Sequence, residues 1–131
     1  MLRRLESYAL SVTRIVIGFL FLSHGLEKLF GWFGGMGGHG AAVPYLSKLW
    51  AAGVIESIGG SLIIIGLFIG PVAFILCGEM AVAYFTEHAP KSLWPIQNGG
   101  ELAVLYCFFF LYLCTSHGGA WSLDRLRSRR R

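Results

Sequence analysis

Residues 56–79 read ESIGGSLIIIGLFIGPVAFILCGE, and no formal charge occurs between the two glutamates. Taken as one helix, the run is long enough to cross a bilayer, which needs roughly 20 apolar residues. The pair Gly70-Pro71 falls inside it. Membrane helices tolerate proline, but proline also suits the first turn of a new helix, where its missing N–H is no loss. A break at this pair gives two segments, 49–69 and 71–88, joined by a minimal turn. The second is short and calls for a locally thin membrane. Further out, an earlier apolar segment covers 8–31 and a later one 99–117.

Four crossings return both ends to one side, and the charges agree. Arg3 and Arg4, with Arg125, Arg127, Arg129, Arg130 and Arg131, supply seven of the eleven Lys and Arg. Cytoplasmic flanks are enriched in these residues, so an even number of crossings is required. Reading 57–78 as a single helix gives three and exports one arginine cluster. Trp32, Trp50, Trp94 and Trp121 all fall at the predicted borders, where aromatic belts form. The first segment is full length and polar at its exit, which predicts a retained helix rather than a cleaved signal. The predicted fold is therefore all-α: an integral membrane four-helix bundle forming a single domain over residues 1–131. Both termini are cytoplasmic, and residues 124–131 form a basic tail.

Composition points the same way. Of 131 residues, 55% are hydrophobic and 14% charged, against about 25% charged in soluble domains. That leaves too little polar surface to cover a soluble core. The aromatic content of 15% and the low charge exclude disorder. A net charge of +4 suggests an anionic partner, but the basic clusters flank apolar segments with no basic domain between them. They fit lipid headgroups rather than nucleic acid. Cys77, Cys107 and Cys114 form no C-x-x-C pair and lie in apolar segments, so they read as small packing residues.

At 1.5 Å per residue, the polar residues can be placed in depth below the outer border. Glu27 lies about 6 Å down, Glu56 about 9 Å, His24 about 10 Å and Glu79 about 14 Å. Glu101 opens the last helix, His88 sits near the rim, and Lys28 shares a helix face with His24. Each helix thus brings one carboxylate to the outer half. A charge at such depth costs about 2.5–3.5 kcal/mol on insertion scales, so these groups should face one another or a wet cavity. The expectation is an outward-opening polar pocket lined by His24, Glu27, Lys28, Glu56, Glu79, His88 and Glu101. Plainer readings stand beside it. Asn98-Gly-Gly-Glu101 has capping-box spacing, Glu27 and Lys28 suit an interface, and Arg14 can snorkel to the inner headgroups. Ordinary hydrogen bonds can satisfy His24 and His88. Glu79 is too deep for a carboxylate to snorkel.

Other patterns carry less. Residues 35–40 spell G-x-G-x-x-G but follow a membrane helix instead of a strand, which argues against a dinucleotide site. His24-x-x-Glu27 reverses the Glu-x-x-His order of di-iron bundles and has no second copy, so no metal centre is expected. Tyr106, Phe108, Phe109, Phe110 and Tyr112 cover every side of their helix, as packing or lipid-facing rings do. A ring-binding wall for a quinone is the other reading.

Several stretches together resemble a known family: Arg14-Ile15-Val16-Ile17-Gly18, then residues 24–35 (HGLEKLFGWFGG), Glu56-Ser57-Ile58-Gly59-Gly60, Asn98-Gly99-Gly100-Glu101, and residues 118–124 (GGAWSLD). In order and spacing they are similar to the DoxX family of small bacterial membrane proteins, over nearly the whole chain. The resemblance implies a four-helix, multi-pass protein of the bacterial inner membrane. Some members are described as subunits of quinone-linked oxidoreductases, including thiosulfate:quinone oxidoreductase and a terminal quinol oxidase. A mycobacterial member is described as a scaffold joining oxidative-stress enzymes. This chain has no haem-ligand pair, C-x-x-C or flavin motif of its own. The expected function is therefore a quinone-associated subunit of a membrane redox assembly, working with a redox partner protein or a second copy of itself. His24 and Glu79 would hydrogen-bond or exchange protons with the oxygen of a quinone or similar amphipathic ligand, while Glu56 and Lys28 set the local charge. The alternative is a non-enzymatic membrane scaffold or adaptor in the oxidative-stress response. A small-solute transporter is disfavoured, because a short four-helix unit must oligomerise to offer alternating access.

Overall fold

The computed structural model describes residues 1–129; Arg130 and Arg131, the end of the predicted basic tail, lie outside the described residues. The chain is helical, with no strand among the described residues. Helix α1 spans Leu2–Phe30 and α2 spans Lys48–Ile65. Helix α3, Ile69–Ala83, continues as a π-helical stretch, Tyr84–His88. The one-turn α4 (Pro95–Asn98), α5 (Glu101–Thr115) and the short α6 (Leu123–Ser128) complete it. Three helices, α1, α2 and α3 with its extension, are long and apolar enough to cross a membrane. The fourth predicted span, 99–117, contracts to α5, which is apolar but only 15 residues long, about 22 Å.

The break between α2 and α3 comes earlier than Gly70-Pro71. Gly66 ends α2 in the left-handed conformation, φ 73°, and its N–H returns to the carbonyls of Leu62 and Ile63, the usual glycine stop. Phe68 follows at φ 52°, and its N–H donates to Asp124 Oδ1 at 3.0 Å. Pro71 then falls in the first turn of α3, where its missing N–H breaks no hydrogen bond.

The described residues form two compact units: residues Met1–Phe68 together with residues 118–129, and residues Ile69–His117. In the first unit α1 packs antiparallel on α2 along a seam of small residues. A Cβ on Gly25 would lie 2.7 Å from the Ser57 nitrogen, on Gly60 2.8 Å from that of Leu22, on Gly18 3.1 Å from that of Ile64, and on Gly53 3.1 Å from Leu29 Cγ. Along each helix these facing positions step by four, three and four residues, the repeat of interlocking helices. Glycine lets the backbones close where lipid supplies no hydrophobic drive for association.

Burial in this unit is inverted relative to a soluble protein. Helix α1 buries Ser11, Arg14, Gly18, Phe21 and Gly25 while exposing Val12, Val16, Phe19 and Leu20. Helix α2 buries Gly53, Glu56, Gly59, Gly60 and Ile63 and exposes Ile55, Ile58 and Ile65. Mostly polar and small groups inside, with most large aliphatics outside, is the arrangement of a helix solvated by lipid.

The second unit repeats the device with different residues. Along the α3–α5 seam, Gly70 faces Cys114, Cys77 faces Cys107, and Tyr84 faces Gly100, each pair two helical turns from the next. All three cysteines are half-buried. Around this seam Ile69, Ala73, Leu76, Ala103, Tyr106, Phe110 and Leu113 are buried.

A glycine in the α1–α2 seam and one outside any seam make opposite predictions for one substitution. Gly60→Ala presses a methyl into the α1 backbone and should destabilise the protein by about 1–3 kcal/mol. Gly78→Ala, on α3 with open space around it, should be neutral or stabilise by about 0.5–1 kcal/mol through helix propensity. Unfolding of both variants in one detergent, followed by circular dichroism, measures the difference.

Candidate functional site

Helix direction explains the central contact of the first unit. Side chains tilt toward the N-terminus of their own helix. In an antiparallel pair, Lys28 near the end of α1 therefore leans inward, and Glu56 on α2 leans outward to meet it. Lys28 Nζ lies 2.7 and 2.6 Å from the two Glu56 carboxylate oxygens. The side chains are 13% and 5% exposed, so this is a buried ion pair. Gly53 leaves room for the lysine stem, since a Cβ there would stand 3.0 Å from Lys28 Cβ.

His24 and Glu27 border the pair. His24 Nδ1 is 3.7 Å from Glu27 Oε2, with the side chains 42% and 28% exposed, and both lie within electrostatic range of Glu56. The four groups thus grade from buried charge to accessible imidazole. The glycine-rich connection folds back over the same end of the helix pair. Gly31 caps α1 at φ 68°, and the Val43 N–H donates to the Lys28 carbonyl at 2.9 Å. Beside Glu56, Ser57 Oγ is buried with no hydrogen-bond partner among the described residues.

The other three predicted residues belong to the second unit. Both carboxylate oxygens of Glu79 on α3 are shielded from solvent. His88 ends the π-helical stretch, with Nδ1 3.1 Å from the Asn98 carbonyl oxygen and its ring stacked on Tyr84. Glu101 is exposed at the start of α5. The capping-box reading is corrected here. Asn98 ends α4, and the residue preceding α5 is Gly100, with no side-chain cap. Asn98 instead ties the connection together: its Nδ2 donates to the Ser92 carbonyl at 2.7 Å and to Tyr84 Oη at 3.2 Å, while its Oδ1 accepts from Gly100 N at 2.7 Å. Among the described residues, no group of three or more His, Cys, Asp or Glu gathers as a metal site.

Arg14 departs furthest from expectation. It does not snorkel to headgroups; its side chain is fully buried. Nη1 donates to the carbonyls of Ile63 and Ile64, Nε to Gly118 at 2.9 Å and Nη2 to Trp121 at 2.7 Å. Ile63 and Ile64 lie in the last turn of α2, where carbonyls have room for a further donor and the dipole favours a cation. Ser11 works alongside, accepting from Trp121 N at 3.1 Å, while the Ser7 carbonyl accepts from Ala120 N at 3.1 Å. The chain after Gly118 is thereby fastened across α1. None of these carbonyl partners has a sequence signature; the only available signal was a cation set among small residues.

Residues 9–89 match the sequence profile of DoxX. The chain belongs to the DoxX family. It is a membrane protein with long apolar helices, as the family implies. An uncharacterized protein of Haemophilus influenzae is 44% identical to this DoxX chain over 127 residues, covering 94% of it and 93% of the relative. No solved structure matches it. The DoxX profile covers the whole α1–α2 site, including His24, Glu27, Lys28 and Glu56, and ends just past His88.

Breaking a buried pair strands a charge, which costs about 3–5 kcal/mol, whereas removing both partners is often neutral. Lys28→Met and Glu56→Met should each destabilise this DoxX protein by that order, and the double variant by much less. Chemical unfolding of the complete mutant cycle in one detergent measures the coupling. Additive losses would show that the pair does not interact as described.

Proposed function

We propose that this DoxX protein is the membrane subunit of a quinone-linked redox assembly in the bacterial inner membrane. In this reading the His24–Glu27–Lys28–Glu56 cluster receives the polar head of a quinone or a similar small amphipathic ligand. The observation that carries it is the grading of the cluster. A buried, neutralised Lys28–Glu56 pair lies beside a half-exposed His24, giving an imidazole that can donate to a quinone carbonyl oxygen or accept from a hydroquinone hydroxyl at the edge of an apolar helix pair. Glu79, His88 and Glu101 belong to the second unit and are assigned no part in this cluster. The redox centre itself comes from a partner subunit.

Four crossings with both termini in the cytoplasm belong to this proposal. Within the first unit, the chain after Gly118 bonds to Ser7, Ser11 and Arg14, which supports an N-terminus and C-terminus on one side. Arg3 and Arg4 at one end, and Arg125 and Arg127 at the other, fit the cytoplasmic face and its anionic lipids. Helix α5, at about 22 Å, then crosses with help from its flanks or a thinned bilayer. Alkaline phosphatase fused after residue 129 should be inactive and a green fluorescent protein fused there bright; the reverse pattern would reject this topology.

A specific observation also favours the scaffold reading. Lys28 and Glu56 satisfy each other, and Arg14 is satisfied by backbone carbonyls, so these charges hold the unit together without a ligand. The two readings separate by quinone retention. The protein in nanodiscs doped with a ubiquinone analogue should retain quinone, with affinity at least about tenfold lower in His24→Ala and Glu56→Gln, a loss of about 1.4 kcal/mol. The Lys28→Met/Glu56→Met double variant serves as the folded control for the loss of charge. Equal retention by wild type and His24→Ala would remove the quinone site and leave the scaffold.

A further inference from the structure

Cys77 on α3 and Cys107 on α5 hold their Sγ atoms 3.7 Å apart, and both are free, half-buried thiols. Their approach is built into the seam. They are the middle of three facing pairs, flanked two turns away on one side by Gly70 against Cys114 and on the other by Tyr84 against Gly100. A Cβ on Gly70 would stand 3.6 Å from the Cys114 carbonyl oxygen, and one on Gly100 2.8 Å from the Tyr84 ring, so the helices lie close on both sides of the thiols. A disulfide needs its sulfurs about 2.05 Å apart. The 3.7 Å contact must therefore shorten by about 1.7 Å, a movement that rotation of the two side chains can share. Cys114 has a glycine opposite it, with no sulfur to meet, so the geometry selects one pair of the three cysteines.

We propose that Cys77 and Cys107 are a redox-active dithiol, closed to an intramolecular disulfide by an oxidant of the quinone class. Two S–H bonds break and one S–S bond forms. The two electrons and two protons released reduce one quinone to one hydroquinone, so the step balances without a further co-reactant. The choice of oxidant rests on the quinone reading above; the facing thiols do not. Closure covalently joins α3 to α5, and a dithiol reductant reopens it by exchange. The redox state of this pair would thus mark whether the surrounding quinone pool is oxidised.

The test uses the reduced, full-length protein in nanodiscs, treated in parallel with a short-chain ubiquinone analogue and with copper phenanthroline. The expected product of both is a Cys77–Cys107 linked peptide pair by mass spectrometry, reopened by dithiothreitol. With the quinone, one hydroquinone should appear per disulfide. The link should vanish in Cys77→Ser and in Cys107→Ser and persist in Cys114→Ser. Failure to link with either oxidant, or links only between separate chains, would overturn the dithiol. Closure by copper phenanthroline but not by quinone would overturn the quinone-driven step. Neither failure touches quinone retention at His24 and Glu56, which Cys77→Ser/Cys107→Ser protein reports independently.

Discussion

The first unit depends on one guanidinium. Arg14 lies within an apolar helix, yet it donates to four backbone carbonyls from two parts of the chain. Two of those carbonyls lie in the last turn of α2, one of them, Ile63, also accepting from Gly66 N, and two belong to a glycine-containing loop. A buried backbone group left unmet away from water costs several kcal/mol. The planar fork of arginine meets several acceptors at once, which a lysine ammonium on its flexible stem does less well. The surrounding residues are chosen for access: a Cβ on Gly66 would stand 3.2 Å from Arg14 Cζ.

With that end of the helix hairpin held by Arg14, the glycine seam and the Lys28–Glu56 pair follow from the same constraint. Small residues bring α1 and α2 close enough for short contacts, and the closeness shields the ion pair from lipid. The pair sits near the opposite end of the helix hairpin from Arg14, so polar anchors occur at both ends and glycines between them. What distinguishes the second anchor is His24. Arg14 is fully enclosed, whereas the Lys28–Glu56 cluster grades into a half-exposed imidazole.

Much of this was legible in the sequence, and the misses have physical causes. Burial cost placed Lys28 and Glu56 among seven residues expected to face one another or a wet cavity, but the sequence did not show that these two would pair. The partners of Arg14 were not legible. They are main-chain oxygens, one of them 104 residues away, and a carbonyl leaves no mark in a residue code. The turn was placed at Gly70-Pro71 because proline is conspicuous, while the actual stop at Gly66 depends on a left-handed backbone that glycine permits silently. Asn98 was read as a cap from its spacing to Glu101. The spacing is real, but Pro95 starts a separate helical turn that consumes Asn98 as its last residue.

The first unit is also discontinuous along the chain, closed by residues that come after the whole of the second. A ribosome makes α1 early and Gly118 and Trp121 late, so two of the four acceptors of Arg14 do not exist while the first hairpin enters the bilayer. Until the segment that begins at Gly118 is made, the hairpin holds an arginine with half its partners missing. Closure of the first unit therefore waits until the whole of the second has been synthesised. A chain halted before Gly118 would leave the Arg14 guanidinium with the Ile63 and Ile64 carbonyls and without those of Gly118 and Trp121.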